Sequence, residues 1–246
     1  MLAAERRALY LARLQRDGKL VARDLADELG LSDDSIRKDL RDLAAAGLAQ
    51  RVYGGALPVS PALGTLTERA TIETDGKRAV AANAVQLIKP GMTVILDGGT
   101  STRAVVDLLP RDLEATIVTH SPTIAAALID HAVEVFLIGG RLFKHSAVTS
   151  GAAAAEAAMA VSADLFLLGV TGVHPTAGLT TGDSDEAAMK RLLARRSAET
   201  WVLASSEKVG TASPFTVLPL AEVAGVITDS EASALLDDLG VAIRRA

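Results

Sequence analysis

Two stretches of this chain hold residue types at spacings suited to chemistry. The first is Ser32-Asp33-Asp34-Ser35-Ile36-Arg37-Lys38-Asp39-Leu40-Arg41. Ser32 suits a helix N-cap, because its hydroxyl can accept from an orphan backbone N–H. Asp33 and Asp34 follow in the first turn, where the helix dipole favours negative charge. Ile36, Leu40 and Leu43 recur at i, i+4 and i+7 and define one buried stripe. Arg37, Lys38 and Arg41 fall off that stripe and are free to meet phosphate. A helix over Ala22–Leu29, ended by Gly30, precedes this one, so the pair reads as a helix–turn–helix with Ser32–Ala46 as recognition helix. Beyond Gly47, the run Leu48-Ala49-Gln50-Arg51-Val52-Tyr53-Gly54-Gly55 reads as a short strand, a basic tip and a glycine turn. That is a wing, placing Arg51 and Tyr53 beside a backbone or in a minor groove.

The second stretch is Ile95-Leu96-Asp97-Gly98-Gly99-Thr100-Ser101-Thr102, a strand, a glycine loop and a helix start. The glycines let a ligand approach the backbone, the helix N-terminus offers unpaired N–H groups, and three hydroxyls add donors. A phosphate fits such a place, although an ordinary strand-to-helix turn with a Ser/Thr cap has the same pattern. Other loops follow apolar runs in the same way: Thr119-His120-Ser121, Gly139-Gly140-Arg141, Gly169-Val170-Thr171-Gly172 and Ser205-Ser206-Glu207-Lys208. In a parallel sheet these ends converge on one edge.

The elements that must position these groups change rhythm along the chain. Ala4–Arg16 forms the first helix, stopped by Asp17-Gly18. The two prolines of Leu57–Gly64 mark a linker, and Thr67–Leu87 resumes as a helix with an irregular start. From Met92 onward, strand-like runs alternate with helices. The strands are Thr93–Leu96, Ala115–Thr119, Val133–Ile138, Leu165–Val170, Thr200–Ala204, Val226–Thr228 and Val241–Ile243. The helices are Arg103–Leu109, Thr123–Asp130, Ala152–Ala160, Glu186–Arg196 and Glu231–Leu239. Continuous apolar strands alternating with helices imply a mostly parallel sheet covered on both faces, with ligands at the carboxyl ends of its strands.

Composition narrows the function classes. The 246 residues suffice for one or two domains with a real core, and 49% hydrophobic content argues against disorder. No apolar run reaches the length of a membrane span, and Met1–Arg7 reads as the start of a helix rather than a signal peptide. The absence of cysteine excludes disulfides and thiol chemistry and accords with a cytoplasmic setting. Four scattered histidines make no metal-spaced motif, and no cofactor motif is present. The net charge of −5 is unevenly shared. Residues 1–56 hold ten Lys/Arg against nine Asp/Glu, the remainder fifteen against twenty-one. DNA affinity therefore has to rest on local placement of a few cations and on pairing of subunits, with strong salt dependence.

The runs Leu25-Ala26-Asp27-Glu28-Leu29-Gly30-Leu31-Ser32, Ser35-Ile36-Arg37-Lys38-Asp39-Leu40 and Arg51-Val52-Tyr53-Gly54-Gly55-Ala56 resemble the DeoR family of bacterial transcriptional regulators. The resemblance implies an α/β protein: an N-terminal winged helix–turn–helix, then a Rossmann-like, mostly parallel sensor domain similar to ribose-5-phosphate isomerase and CoA transferases. It implies a DNA-binding domain over 1–57, a linker and start of a connecting helix over 58–78, and an effector domain over 79–246. It places Ser32, Asp33, Ser35, Arg37, Lys38, Arg41, Arg51 and Tyr53 at double-stranded operator DNA. It gives the phosphate of a sugar phosphate to Asp97, Gly98, Gly99, Thr100, Ser101 and Thr102. His120, Gly140, Arg141 and Thr171, at the same strand ends, are expected to bind the effector too, as are Glu186, Lys190 and Lys208. Glu186, Lys190 and Lys208 match a family Glu-x-x-x-Lys and a late lysine, the first two also being spaced as a surface ion pair. Three positions depart from the family pattern: His120 stands for an Asn, Thr171 for an acid, and an extra residue precedes Lys208. The expectation is a non-enzymatic repressor of sugar or related carbon metabolism, working as a homo-oligomer of two or more subunits without a cofactor or a membrane. The alternatives are a sugar-phosphate isomerase-like enzyme with an appended DNA-binding domain, and a winged helix used only for protein contacts.

Overall fold

The computed structural model describes residues 2–229, 236–237 and 240–246. The N-terminal part consists of α1 (Ala3–Asp17), β1 (Leu20–Val21), α2 (Ala22–Leu29), α3 (Asp33–Ala45), β2 (Gln50–Val52) and β3 (Gly55–Leu57). The strands form an antiparallel sheet of order β1-β3-β2. Its core is Tyr10, Leu14, Leu20, Leu25, Ala26, Ile36, Leu40, Leu43, Ala49 and Ala56. The predicted apolar stripe of α3 is therefore the face packed inward. Ser32 is the N-cap, its Oγ accepting from Ser35 N at 3.3 Å. The two-residue β1 was not among the expected strands, being too short to show periodicity.

The segment joining the two parts runs through a 3-10 turn (Pro61–Leu63), α4 (Leu66–Arg69) and α5 (Thr74–Val85). The single helix expected over Thr67–Leu87 is thus two helices. The break ends at Glu73, which adopts φ 47°, a conformation uncommon outside glycine. The buried Lys77 ammonium accounts for the interruption: it donates to Arg69 O at 2.6 Å and to Ile72 O, capping carbonyls that a continuous helix would have used internally.

The remainder is built on β4 (Thr93–Leu96), α6 (Thr100–Leu108), β5 (Thr116–Thr119), α7 (Pro122–Ala127), β6 (Glu134–Leu137), β7 (Arg141–Phe143), β8 (Val148–Ser150), α8 (Ala152–Met159), β9 (Ala163–Gly169), β10 (Gly172–His174), β11 (Gly178–Thr181), α9 (Ser184–Arg195), β12 (Ser197–Leu203), β13 (Phe215–Leu218), β14 (Gly225–Thr228) and β15 (Ala242–Arg245). Seven strands form a sheet of order β15-β14-β12-β9-β4-β5-β6, and every pairing in it is parallel. Both faces are covered. One buries Ile95, Phe166, Leu168 and Val202 against α8 and α9; the other buries Leu96, Ile117, Leu167 and Leu203 against α5 and α6. Each such side chain contributes about 1.5–3 kcal/mol on removal from water.

All seven expected strands belong to this sheet. The antiparallel sheet β10-β11-β13 and the pair β7-β8 were not foreseen. Their strands are short and rich in Gly and Thr. The expected helix over Glu231–Leu239 lies largely outside the described residues.

The order of the sheet fixes where a ligand can sit. From the central pair, β4 leads outward to β5 and β6, while β9 leads the other way to β12, β14 and β15. The crossovers therefore diverge between β4 and β9 and open a crevice at the carboxyl ends of these two strands, the usual ligand position in such sheets.

Candidate functional site

Asp97, the first residue after β4, stands at the base of that crevice and is fully buried. Its Oδ1 accepts from Gly98 N at 2.8 Å. Its Oδ2 accepts from Gly169 N at 2.8 Å, at the end of β9, and from Lys190 Nζ at 2.5 Å. Lys190 also donates to Gly169 O at 3.0 Å. A buried ion pair is tolerated when its remaining hydrogen-bonding capacity is met, and here both members have additional backbone partners. Asp97 thus clamps β4 to β9 from beneath the loop. It was expected to contact the effector, but it does not line the cleft, because its carboxylate is turned inward to these partners.

His120, after β5, is also fully buried and lies beneath the loop rather than in the cleft. Its Nε2 is 3.5 Å from Asp97 Oδ1, and neither ring nitrogen has a hydrogen-bond partner among the described residues. Burial holds its pKa down to about 4, against the opposing pull of Asp97. At neutral pH the ring is uncharged, so its approach to Asp97 is a polar contact and not a salt bridge.

Above the clamp, Gly98–Thr102 wraps into the start of α6. Gly98 has no room for a side chain, since a Cβ there would meet Val148 Cγ1 at 2.2 Å. Gly99 adopts φ 122° and makes the helix cap without a side-chain bond. The first-turn amides of α6 have no intrahelical acceptor, and Thr100, Ser101 and Thr102 line the cleft. Thr102 Oγ1 is buried without a partner. Lys208, in the 3-10 turn after β12, donates to Ser101 Oγ at 2.8 Å. Burial first, and then the neighbouring cations Lys77, Arg69 and Lys190, push its pKa down to about 8, with Glu207 opposing. A concentration of buried positive charge over a helix N-terminus is a receptor for a small anion.

Thr171, Glu186 and Lys190 line the cleft as well. Glu186 and Lys190 do not form a surface pair. Glu186 accepts from Ser146 Oγ at 3.1 Å, and Lys190 reaches Asp97. Thr171 Oγ1 donates to Thr180 O at 3.1 Å and contacts Ser213 Oγ at 2.7 Å. Gly140 and Arg141 lie outside the cleft. Arg141 opens β7, is exposed, and faces Asp185 at 3.6 Å; the chain turns away from the crevice after β6 because β7 pairs with β8 instead of continuing inward.

At the other end of the molecule, Arg37, Lys38 and Arg41 project from the solvent face of α3, with Arg51 exposed on β2 and Tyr53 wholly exposed at the turn. Asp33 is 3.8 Å from Arg37, an exposed i,i+4 contact of small energetic weight. Ser32 and Ser35 are joined through their hydroxyls at 2.9 Å. Asp39 sits on the inward side of the helix. It accepts from Arg6 Nε at 2.6 Å, from Arg6 Nη2 at 3.0 Å and from Tyr10 at 3.2 Å, fixing α3 against α1.

With this geometry in place, comparison with known proteins is decisive. The DeoR C-terminal sensor domain matches residues 72–230, and the DeoR-like helix-turn-helix domain matches residues 6–62. The chain belongs to the DeoR family. It is 36% identical to the HTH-type transcriptional regulator GlpR of Haloferax volcanii, over 93% of this chain and 91% of that protein. It is 27% identical to the HTH-type transcriptional repressor GlcR of Bacillus subtilis, over 93% and 89% respectively. Among solved structures it is similar to a D-ribose-5-phosphate isomerase in complex with phospho-erythronic acid, at TM-score 0.41 and 16% identity over 55% of this chain and 54% of that one.

For this DeoR-family chain, two cations of the cleft stand outside the residues that the sequence assigns to the effector. Arg69 and Lys77 line it from the connecting segment. Arg69 Nε and Nη2 are buried without a hydrogen-bond partner among the described residues. Desolvation lowers its pKa, with Glu186 and Asp97 opposing. The signal available in the sequence was the pair Arg69 and Lys77, two cations eight residues apart in a stretch treated only as a connection.

Proposed function

We propose that this DeoR-family regulator is a repressor of sugar or related carbon metabolism whose grip on operator DNA is set by a phosphorylated sugar in the sensor cleft. Its partners are a double-stranded operator, read by paired subunits, and the sugar phosphate; its setting is the cytoplasm. The carrying observation is the anion cradle, in which the Gly98–Thr102 backbone and hydroxyls face Lys208 and Arg69. A dianionic phosphate offsets the desolvation that chiefly lowers the Lys208 pKa, and the repulsion from Lys77, Arg69 and Lys190 that adds to it. Glu186 is positioned to accept from hydroxyls of the ligand body.

In this reading, Ser32, Asp33, Ser35 and the cations of α3 meet the operator in the major groove, while Arg51 and Tyr53 of the wing meet it alongside. The repressor assignment follows the sense of the GlcR name. The isomerase alternative needs a carboxylate free to act as base. Thr171 supplies none, and Asp183 is engaged as the cap of α9, accepting from Asp185 N and Glu186 N at 2.9 and 3.0 Å. Of the carboxylates that line the cleft, Glu186 accepts from Ser146 Oγ at 3.1 Å and Glu207 from Ser205 Oγ at 2.9 Å. These features support a sensing role.

The test is a titration of the DNA upstream of its own gene, with phosphorylated sugars and with the same sugars unphosphorylated. The expected result is specific binding that one phosphorylated sugar weakens while its unphosphorylated form does not. Specific binding indifferent to every phosphorylated sugar contradicts the proposed effector class.

A further inference from the structure

The segment between the two domains does more than connect them. Two residues beyond the end of β3, Val59 bridges to Ala212 in the sensor domain. Ser60, itself buried, donates its hydroxyl to Thr171 O. Leu63 packs on Gly182, where an added Cβ would fall 2.7 Å from Leu63 Cδ2. Leu63 O meets His145 Nε2 at 3.0 Å, and Leu66 N donates to His145 O at 3.0 Å. Ala62 and Arg69, both on this path, line the cleft. Residues 59–69 thus form a strap laid across the mouth of the site and stitched to its far rim.

The strap leaves little space. The cleft has a volume of about 20 Å³, close to what one water needs, whereas small-molecule sites occupy roughly 300–1,000 Å³. The buried Nε and Nη2 of Arg69 lack partners among the described residues. Its guanidinium approaches the phosphate loop, with Nη1 3.8 Å from the Cβ position of Gly99. Guanidinium nitrogens buried without an acceptor are costly, and an anion on the loop would supply one.

We infer that residues 59–69 are a movable wall of the effector site, that Arg69 on this wall binds the effector's anionic group, and that admission of the effector shifts the wall and with it the winged domain. This rests on the reading of the cleft as a phosphate-ester site. It assigns an effector contact to the connector and makes coupling between the sites a direct consequence of entry. A ligand regulates only through differential binding to two arrangements; here the arrangements are strap seated and strap displaced.

The test uses the full chain, with inorganic phosphate and a panel of pentose and hexose phosphates as probes, measured calorimetrically and in DNA titrations. Arg69→Gln should weaken binding of the best phosphate ester by about tenfold or more, the loss of one charge-assisted hydrogen bond, and Arg69→Lys should recover part of it. His145→Ala removes a stitch at an exposed position, so the fold survives. It should tighten the same ligand several-fold, because less is lost on opening. Unaltered ligand affinity in both Arg69→Gln and His145→Ala, with the wild type binding normally, overturns the strap and leaves the phosphate-ester reading standing. Failure of the wild type to bind any phosphate probe overturns that reading and this inference with it.

Discussion

In the winged domain Arg37, Lys38, Arg41 and Arg51 stand in solvent, whereas around the sensor cleft Lys77, Lys190 and Lys208 are each under 5% exposed. The two sets suit different anions. Exposed cations meet a polyanion as a line of charge, so their contribution is collective and falls with salt. Buried cations have already lost their water. Each needs a partner at a defined place, which is how one small anion is distinguished from others. The same contrast holds for the acids. Asp33 makes a loose surface contact with Arg37 at 3.8 Å, while Asp97 holds Lys190 at 2.5 Å and two backbone amides besides. A carboxylate on the surface tunes a helix; a carboxylate at the switch point holds the sheet together.

The sharpest way to break this comparison is to open the buried clamp. Asp97→Ala leaves Lys190 buried without its carboxylate, and should cost about 3–5 kcal/mol of stability, read as a lower denaturant midpoint. Asp33→Ala, the exposed counterpart, should cost under about 1 kcal/mol. Equal losses in the two variants would erase the distinction.

Next in size is a pH effect confined to the sensor domain. The folded pKa of His120 is about 4, below the ordinary value of 6.5. Between those values the unfolded chain takes up a proton that the folded chain refuses. Stability should therefore be complete above about pH 6.5 and fall by roughly 3 kcal/mol as pH drops toward 4. His120→Asn should remove this share of the acid sensitivity, seen by comparing unfolding curves at pH 7 and pH 5. An identical pH dependence in that variant would place the effect elsewhere.

For the exposed set, Arg37→Ala should weaken operator binding by about 1–3 kcal/mol if it reads a base edge. Its salt slope then stays near that of the wild type, whereas Lys38→Ala, a phosphate contact, should reduce the slope by about one. Affinity measured across a salt series separates the two roles.

The buried set gives a smaller, graded effect at alkaline pH. Lys208 carries a proton only below about pH 8, so binding of a phosphate ester should weaken by at most about tenfold for each pH unit above that. Calorimetry at pH 7, 8 and 9 checks the slope, and DNA binding without effector should change far less over the same range. A small effect is also expected of Ser32→Ala, which removes the N-cap of α3 and should cost about 1 kcal/mol of stability.

How much of this the sequence disclosed depended on the distance over which each feature is built. The recognition helix was legible because its N-cap, its stripe of Ile36, Leu40 and Leu43, and its outward cations all fall within a dozen residues. The strand–glycine–helix pattern at residues 95–102 was legible for the same reason, and so was the parallel sheet. The inward role of Asp97 was not, since its partners lie 72 and 93 residues away. Nor was the break before α5, which has neither glycine nor proline and is made by Lys77 folding back on Arg69 and Ile72. The strap was read as a linker because Pro58, Pro61 and Gly64 are the usual marks of one. Only its bonds to Thr171 and His145 reveal a second role.

The most direct test of the central claim is reciprocity between the two regions. The affinity of the tightest-binding phosphate ester would be measured on the free protein and on the same protein saturated with its operator fragment. The account predicts weaker binding on the DNA complex, by about 5–150-fold, matched by an equal loss of operator affinity when the ester is saturating. Equal ester affinity in the free and DNA-bound protein would show that the cleft does not govern the winged domain, and would contradict the account.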